Sequence, residues 1–97
     1  MARYVLSNLA ELDLESIAYY TTLNFGEEQA KAYLSSIEQT INLITQFPSM
    51  GSTYITKSGN QFQKFNVGQH TIFYQIEDKK LFVVRVIHLK TDFDRHL

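Results

Sequence analysis

The side chains best suited to chemistry gather at the end of the chain. Arg85, His88, Lys90, Asp92, Arg95 and His96 all lie between positions 85 and 97, with His70 and Tyr74 a little upstream. On paper these groups can assemble the parts needed to cleave a phosphodiester by attack of a 2′-hydroxyl. That reaction needs a base, an acid and a cation to stabilise the charge that builds on the phosphate. His88 is the candidate base, imidazole being the side chain best suited to exchange a proton near neutral pH. Each residue also has a plainer reading. His88 closes a strand and hydrogen-bonds the tail. Tyr74 alternates with Ile72 and Ile76 and is a core aromatic with a satisfied hydroxyl. Arg85 points away from Val84 and Val86, where it meets a partner or serves the fold.

Other chemistries find less support. His70, His88 and His96 are scattered, no HExxH or Cys/His spacing occurs, and the chain has no cysteine, so neither a metal site nor a disulfide is expected. No glycine-rich phosphate loop is present and no cofactor is implied. Ser35-Ser36 sits inside a helical pattern with no base in view. Asp13, within the first helical pattern, reads as a structural contact before a general acid.

Bulk properties set the frame. The 97 residues suffice for one domain, 1–97, whose modest core makes a tight partner useful. A composition of 44% hydrophobic and 20% charged residues is that of an ordinary globular chain. The opening MARYVLSNLAEL turns polar too soon for a signal peptide, and no apolar run approaches membrane-spanning length. A soluble, cytoplasmic protein is expected, with no membrane contact. Net charge is −1, so nothing global marks a nucleic-acid binder, and direct contact with nucleic acid is expected only through a target. The charge is nonetheless divided. Residues 1–61 hold three basic and six acidic side chains, net −3, and residues 62–97 hold six basic and four acidic, net +2.

The elements that must position these groups can be read from periodicity. Arg3 to Leu6 is a short β run. Asn8 with Glu11 forms a possible capping box, with Ser7 the rival cap. Ala10, Leu14, Ile17, Ala18 and Thr21 then share one helical face as far as the break at Asn24-Phe25-Gly26. Tyr19-Tyr20 should split, one residue inward and one outward. A second helix opens at Glu27-Glu28 and keeps Ala30, Tyr33, Leu34, Ile37, Ile41 and Ile44 in phase to Phe47, where the only proline, Pro48, ends it. So short a break implies an antiparallel helical hairpin. Residues 49–60, rich in Ser, Thr and Gly, read as a loop. Phe62 to Val67, His70 to Glu77 and Leu81 to Ile87 form a β meander with turns at Gly68-Gln69 and Asp78-Lys79-Lys80. Val84 and Val86 should share a face with Ile72 and Tyr74. The fold class is α+β: an N-terminal strand, then a helical hairpin packed on an antiparallel sheet, then a short polar tail.

The residues Tyr4-Val5-Leu6-Ser7, Ala10, Asp13-Leu14, Ile17, Tyr20-Thr21 and Phe25-Gly26 make up an opening signature. Gln29-Ala30, Tyr33, Pro48 and Gly51 continue it. His70-x-Ile72-Phe73-Tyr74, Arg85-Val86-Ile87-His88, Asp92 and Arg95-His96-Leu97 close it. In this order and spacing they resemble the ParE/RelE toxins of bacterial toxin–antitoxin systems, the ParE branch above all, over nearly the whole chain.

The resemblance implies a RelE/ParE-like fold and the toxin half of a type II toxin–antitoxin pair. Such toxins poison DNA gyrase by binding it and are neutralised by a ParD-like antitoxin laid across them as an extended and helical segment. The resemblance also bears on the rival activity. RelE-type ribosome-dependent mRNA endonucleases carry an arginine just after the position of His70, where this chain has Thr71. Threonine cannot supply that charged, bidentate phosphate contact. On this basis the target-facing residues are Arg85, His88, Lys90, Asp92, Arg95 and His96. Candidate antitoxin contacts are Tyr19, Leu23, Tyr33 and Phe65. No residue is assigned a catalytic role. An endonuclease and an inactive antitoxin-binding module remain the alternatives.

Overall fold

The structure, a computed structural model, describes residues 4–97; Arg3, expected to open the first strand, lies outside them. In chain order the elements are β1 (Tyr4–Leu6), α1 (Asn8–Phe25), α2 (Glu27–Gln46), a 3-10 turn (Pro48–Met50), β2 (Ser52–Ile55), β3 (Gln61–Val67), β4 (His70–Glu77), β5 (Lys80–His88) and a closing 3-10 turn (Phe93–His96). The strands form one sheet in the order β1-β5-β4-β3-β2, antiparallel throughout except that β1 runs parallel to β5.

Local chemistry explains the boundaries. Ser7, not Asn8, caps α1: its Oγ accepts the Ala10 N–H at 2.9 Å and donates to the Val84 carbonyl at 2.6 Å, so one hydroxyl starts the helix and ties it to β5. A single residue joins the helices. Gly26, at φ 90°, donates its N–H to the Thr22 carbonyl while its own carbonyl accepts from Ala30. Only glycine holds that backbone cheaply. Asp78 and Lys79, both at positive φ, make the two-residue turn between β4 and β5.

The core lies between the helical hairpin and the sheet. Ala10 and Ile17 of α1 and Ile37, Ile41 and Ile44 of α2 pack on Ile72, Tyr74, Leu81, Val83 and Val86. Both expected helical faces are therefore the buried ones.

Four expectations are corrected. Residues 49–60 are not all loop, since Ser52–Ile55 forms β2 against Gln61–Lys64. The polar residues between them close a hairpin: Thr56 is buried, its hydroxyl accepts the Asn60 N–H at 3.0 Å and meets Ser58 Oγ at 2.9 Å. Val84 does not share the face of Tyr74. A bulge places Phe73 opposite Arg85 but Tyr74 opposite Val83, so Val83 enters the core and Val84 turns to the reverse face. Tyr19 and Tyr20 do not split, both being more than half exposed. Finally, the tail is more than polar. Phe93 and Leu97 pack with Val84 and Tyr54 on a second cluster of Phe62, Phe73 and Ile87.

Gly51 is required for space. A Cβ there would overlap the Tyr74 hydroxyl, which donates to the Pro48 carbonyl at 2.7 Å, and would sit 2.9 Å from the Lys64 carbonyl oxygen. Gly51→Ala is expected to lower stability by roughly 1–3 kcal/mol, the usual cost of overpacking a tight site. Urea unfolding checks this, and an unchanged midpoint would mean the segment yields freely.

Candidate target and antitoxin surfaces

Asp13 and Arg85 form the most elaborate polar contact. Arg85 donates from Nε to Asp13 Oδ2 at 2.8 Å and from Nη2 to Oδ1 at 2.8 Å, a two-pronged pair whose side chains are each 15% exposed. Oδ2 also accepts the Val86 backbone N–H at 2.9 Å. β1 ends at Leu6 opposite Val83, so the edge of β5 beyond it needs another acceptor, and Asp13 provides one. Arg85 Nη1 donates in turn to the His96 carbonyl at 3.1 Å. Its guanidinium is held even more firmly protonated than usual, chiefly by the Asp13 carboxylate. Arg85 thus links α1, β5 and the tail, and Asp13 is the structural contact the sequence suggested.

The tail has a second anchor. Asp94 accepts a hydrogen bond from the Tyr54 hydroxyl on Oδ1 and one from the Lys57 N–H at 2.7 Å on Oδ2. These bonds, the tyrosine's first, hold the Asp94 carboxyl below its ordinary range, while Asp94 raises Tyr54. With its middle pinned, the tail leaves Asp92, Arg95 and His96 exposed, beside exposed His88 and Lys90 at the end of β5. Five of the six expected target-facing residues are therefore solvent-facing and Arg85 is not. His88 Nδ1 accepts the Lys90 N–H at 3.1 Å, shaping the exit from β5.

A cleft of about 460 Å³ opens between the helices and the turn joining β3 to β4. Ile17, Tyr20 and Phe25 line it, with Tyr33, His70 and His88. Tyr33 Oη accepts the Gln69 N–H at 3.0 Å and lies 2.6 Å from His70 Nδ1. The His70 and His88 rings meet edge to face with centroids 5.3 Å apart. His70 resists protonation, first because it is buried and next because His88 is close, with Asp13 opposing.

The antitoxin candidates divide. Tyr19 and Leu23 stand out from α1, at 69% and 67% exposed. Tyr33 and Phe65 are partly buried and pack against the core. Sequence reasoning missed Leu9, Leu12, Tyr20 and Phe25, all more than half exposed on the same helix. Their signal was available: α1 carries large apolar residues outside its core face. Thr71 is fully buried and its hydroxyl donates to Asn66 Oδ1 at 2.8 Å. Among the described residues no cluster of His, Asp or Glu could hold a metal ion, and no helix is long and apolar enough to cross a membrane.

Comparison with known proteins decides the family. The family model described as "ParE toxin of type II toxin-antitoxin system, parDE" matches residues 4–93. The chain belongs to the ParE toxin family. It is 33% identical over 97 residues to Toxin ParE1 of Mycobacterium tuberculosis, covering 99% of this chain and 98% of that one. Toxin ParE1 of Caulobacter vibrioides is 30% identical over 97 residues, covering 100% and 99%. A solved structure titled "Chromosomal ParDE TA system from P. aeruginosa" superposes with a TM-score of 0.78 at 14% identity, over 93% of this chain and 98% of its own. That likeness establishes the α+β fold. In this ParE-family chain, both signature segments meet at one place, Asp13 from the first and Arg85 from the second.

Removing one partner of that pair should be costly. Asp13→Ala leaves a largely buried guanidinium unpaired and the Val86 N–H without its acceptor. It is expected to cost roughly 3 kcal/mol, the low end for breaking a buried pair. Replacing both partners, Asp13→Leu with Arg85→Met, should recover part of that loss, because well-packed apolar groups often match a buried pair while the Val86 N–H still lacks its acceptor. Urea unfolding of the unmodified protein, Asp13→Ala and the double variant checks it, and a double variant less stable than Asp13→Ala would contradict the pairing.

Proposed function

We propose that this ParE-family toxin arrests growth by binding and poisoning DNA gyrase, and that a ParD-like antitoxin neutralises it. The observation that supports the reading is the pairing of a ParE family match over residues 4–93 with a buried Thr71 at the position where RelE-type nucleases place their arginine. A threonine bonded to Asn66 inside the sheet can neither neutralise a phosphate nor move a proton to a leaving group. Binding, without bond cleavage by the toxin itself, is what this surface offers.

The target-facing groups are His88, Lys90, Asp92, Arg95 and His96, with Arg85 acting behind them by holding the His96 carbonyl. Lys90 and Arg95 are the exposed cations of this end, and they suit gyrase or the DNA that gyrase holds. The antitoxin is assigned to the exposed outer face of α1, with Tyr19 and Leu23 as anchors and Tyr33 and Phe65 reached only at their edges. Part of it adds to a free sheet edge as a strand. Covering several exposed apolar side chains gives a small domain stability that it lacks alone. The site of action is the cytoplasm, where gyrase works.

Gyrase supercoiling and DNA cleavage with purified protein, beside a cell-free translation reaction, tests the reading. Cleaved DNA should accumulate, or supercoiling should stop, while translation proceeds normally. Blocked translation with untouched gyrase would replace this reading with a ribosome-dependent nuclease. Silence in both reactions would leave a module that only binds antitoxin.

A further inference from the structure

The cleft beside α1 has a composition that an exposed apolar face does not. Ile17, Tyr20 and Phe25 give it apolar walls, and the hydroxyls of Ser16 and Thr21 and the amides of Gln29 and Gln69 line it beside the Tyr33 phenol and two imidazoles. The hydrogen-bond distances favour one placement of the imidazole protons. Tyr33 Oη accepts from the Gln69 N–H, so its own proton goes to His70 Nδ1 at 2.6 Å in preference to the Val67 carbonyl at 3.3 Å. His88 Nδ1 accepts the Lys90 N–H. With Tyr33 donating to His70 and Lys90 to His88, the neutral form of each ring carries its proton on Nε2. Neither Nε2–H has an acceptor among the described residues. No carboxylate lines the cleft, and the nearest one that acts on His70, Asp13, is engaged by Arg85 and Val86.

We infer that the cleft is an anchor pocket for a segment of the antitoxin that places an apolar side chain against Tyr20 and Phe25 and a carboxylate on the Nε2–H groups of His70 and His88. This rests on the antitoxin assignment of the preceding section and names the chemistry of one of its contacts. Two imidazoles with centroids 5.3 Å apart are close enough for one carboxylate to reach both. A cleft of about 460 Å³ holds a bulky side chain beside it. The occupant is argued from complementarity: the two Nε2–H donors are unpaired among the described residues, no carboxylate lines the cleft, and it opens on the helix whose outer residues Tyr19 and Leu23 are also exposed.

A charged occupant makes the contact sensitive to pH. The groups acting on His70 are Tyr33 from α2, Asp13 from α1 and His88 from β5, with Lys90 just beyond. In the free protein burial and His88 disfavour the imidazolium. A bound carboxylate favours it, and Tyr33 can then turn its proton to the Val67 carbonyl. Binding takes up a proton wherever the bound form has the higher proton affinity, so affinity rises as pH falls through the histidine range, until the carboxylate itself protonates.

Titration of the full chain with 3-phenylpropionate and with its neutral amide, 3-phenylpropanamide, followed by nitrogen-15 NMR of the imidazoles, tests the pocket without any antitoxin. The acid should shift both His70 and His88 and bind about fivefold tighter at pH 6.0 than at pH 7.5. The amide should bind about tenfold more weakly. His70→Gln, which keeps one donor and one acceptor, should retain binding and lose most of the pH response. Equal binding of acid and amide, or unmoved ring signals, would overturn the pocket. In the purified complex with the antitoxin encoded beside it, 3-phenylpropionate should no longer bind. Binding to the complex as to the free chain would overturn the occupant. Absence of any complex would instead overturn the antitoxin assignment, with the free-chain titration still measuring the carboxylate site.

Discussion

One carboxylate decides how the two layers of this protein meet. β1 is three residues long and leaves the edge of β5 after Val83. The backbone beyond that point would face the underside of α1 with an unanswered N–H. Asp13 answers it, and the same carboxylate holds the Arg85 guanidinium in two prongs. Two charges this far from solvent are stable only when each also satisfies the other's hydrogen bonds. They do so here because Ser7 has fixed the start of α1 against Val84 and the bulge has displaced Arg85 from strict alternation. A shift of α1 by one residue would carry Asp13 away from β5 and leave both groups buried and unpaired.

The sheet consequently has two differently used faces. The helical hairpin covers one. The other is closed only in part, by Phe93 and Leu97 on Phe73, with Asp94 bonded to Tyr54 and the backbone of Lys57. The tail is thus fixed at three places, by apolar contact, by Asp94 and by Arg85 on the His96 carbonyl. Its charged side chains stand outward from a rigid support. A surface of this kind can recognise a partner through exposed cations. The same economy of structure leaves Leu9, Leu12, Tyr19, Tyr20, Leu23 and Phe25 on α1 in water. That much exposed apolar surface on one helix is unusual for a chain that acts alone.

Much of this was legible in the residues. Helical spacing picked out Ala10, Ile17, Ile37, Ile41 and Ile44, and each is buried because a 3.6-residue period leaves only one stripe facing the sheet. The β-branched and aromatic runs marked β3, β4 and β5 to within one residue. β2 was hidden because Ser52 and Thr53 are as common in turns as in strands, although the run Thr53-Tyr54-Ile55 was a signal. The bulge was not legible, since alternation alone placed Val84 beside Val86 and one extra residue reverses every face beyond it. Arg85 was read as facing a partner or serving the fold, and the structure shows it bonded to a residue 72 positions away on α1. No local pattern announces a contact of that range. The pairing of Tyr33 with His70 is likewise a tertiary event, joining a residue read as a partner contact to one left without a role.

If the toxin works by binding through its supported tail, charge at that tail must matter while the fold beneath it does not change. The direct measurement is gyrase-dependent DNA cleavage by a Lys90→Ala, Arg95→Ala double variant, with its urea unfolding midpoint recorded alongside. Both side chains are exposed and outside the clamp, so the midpoint should stay near that of the unmodified protein. Cleavage should fall by an order of magnitude or more, as expected when two charges that face a target are removed. Undiminished cleavage by a folded double variant would contradict the tail as the target-binding surface.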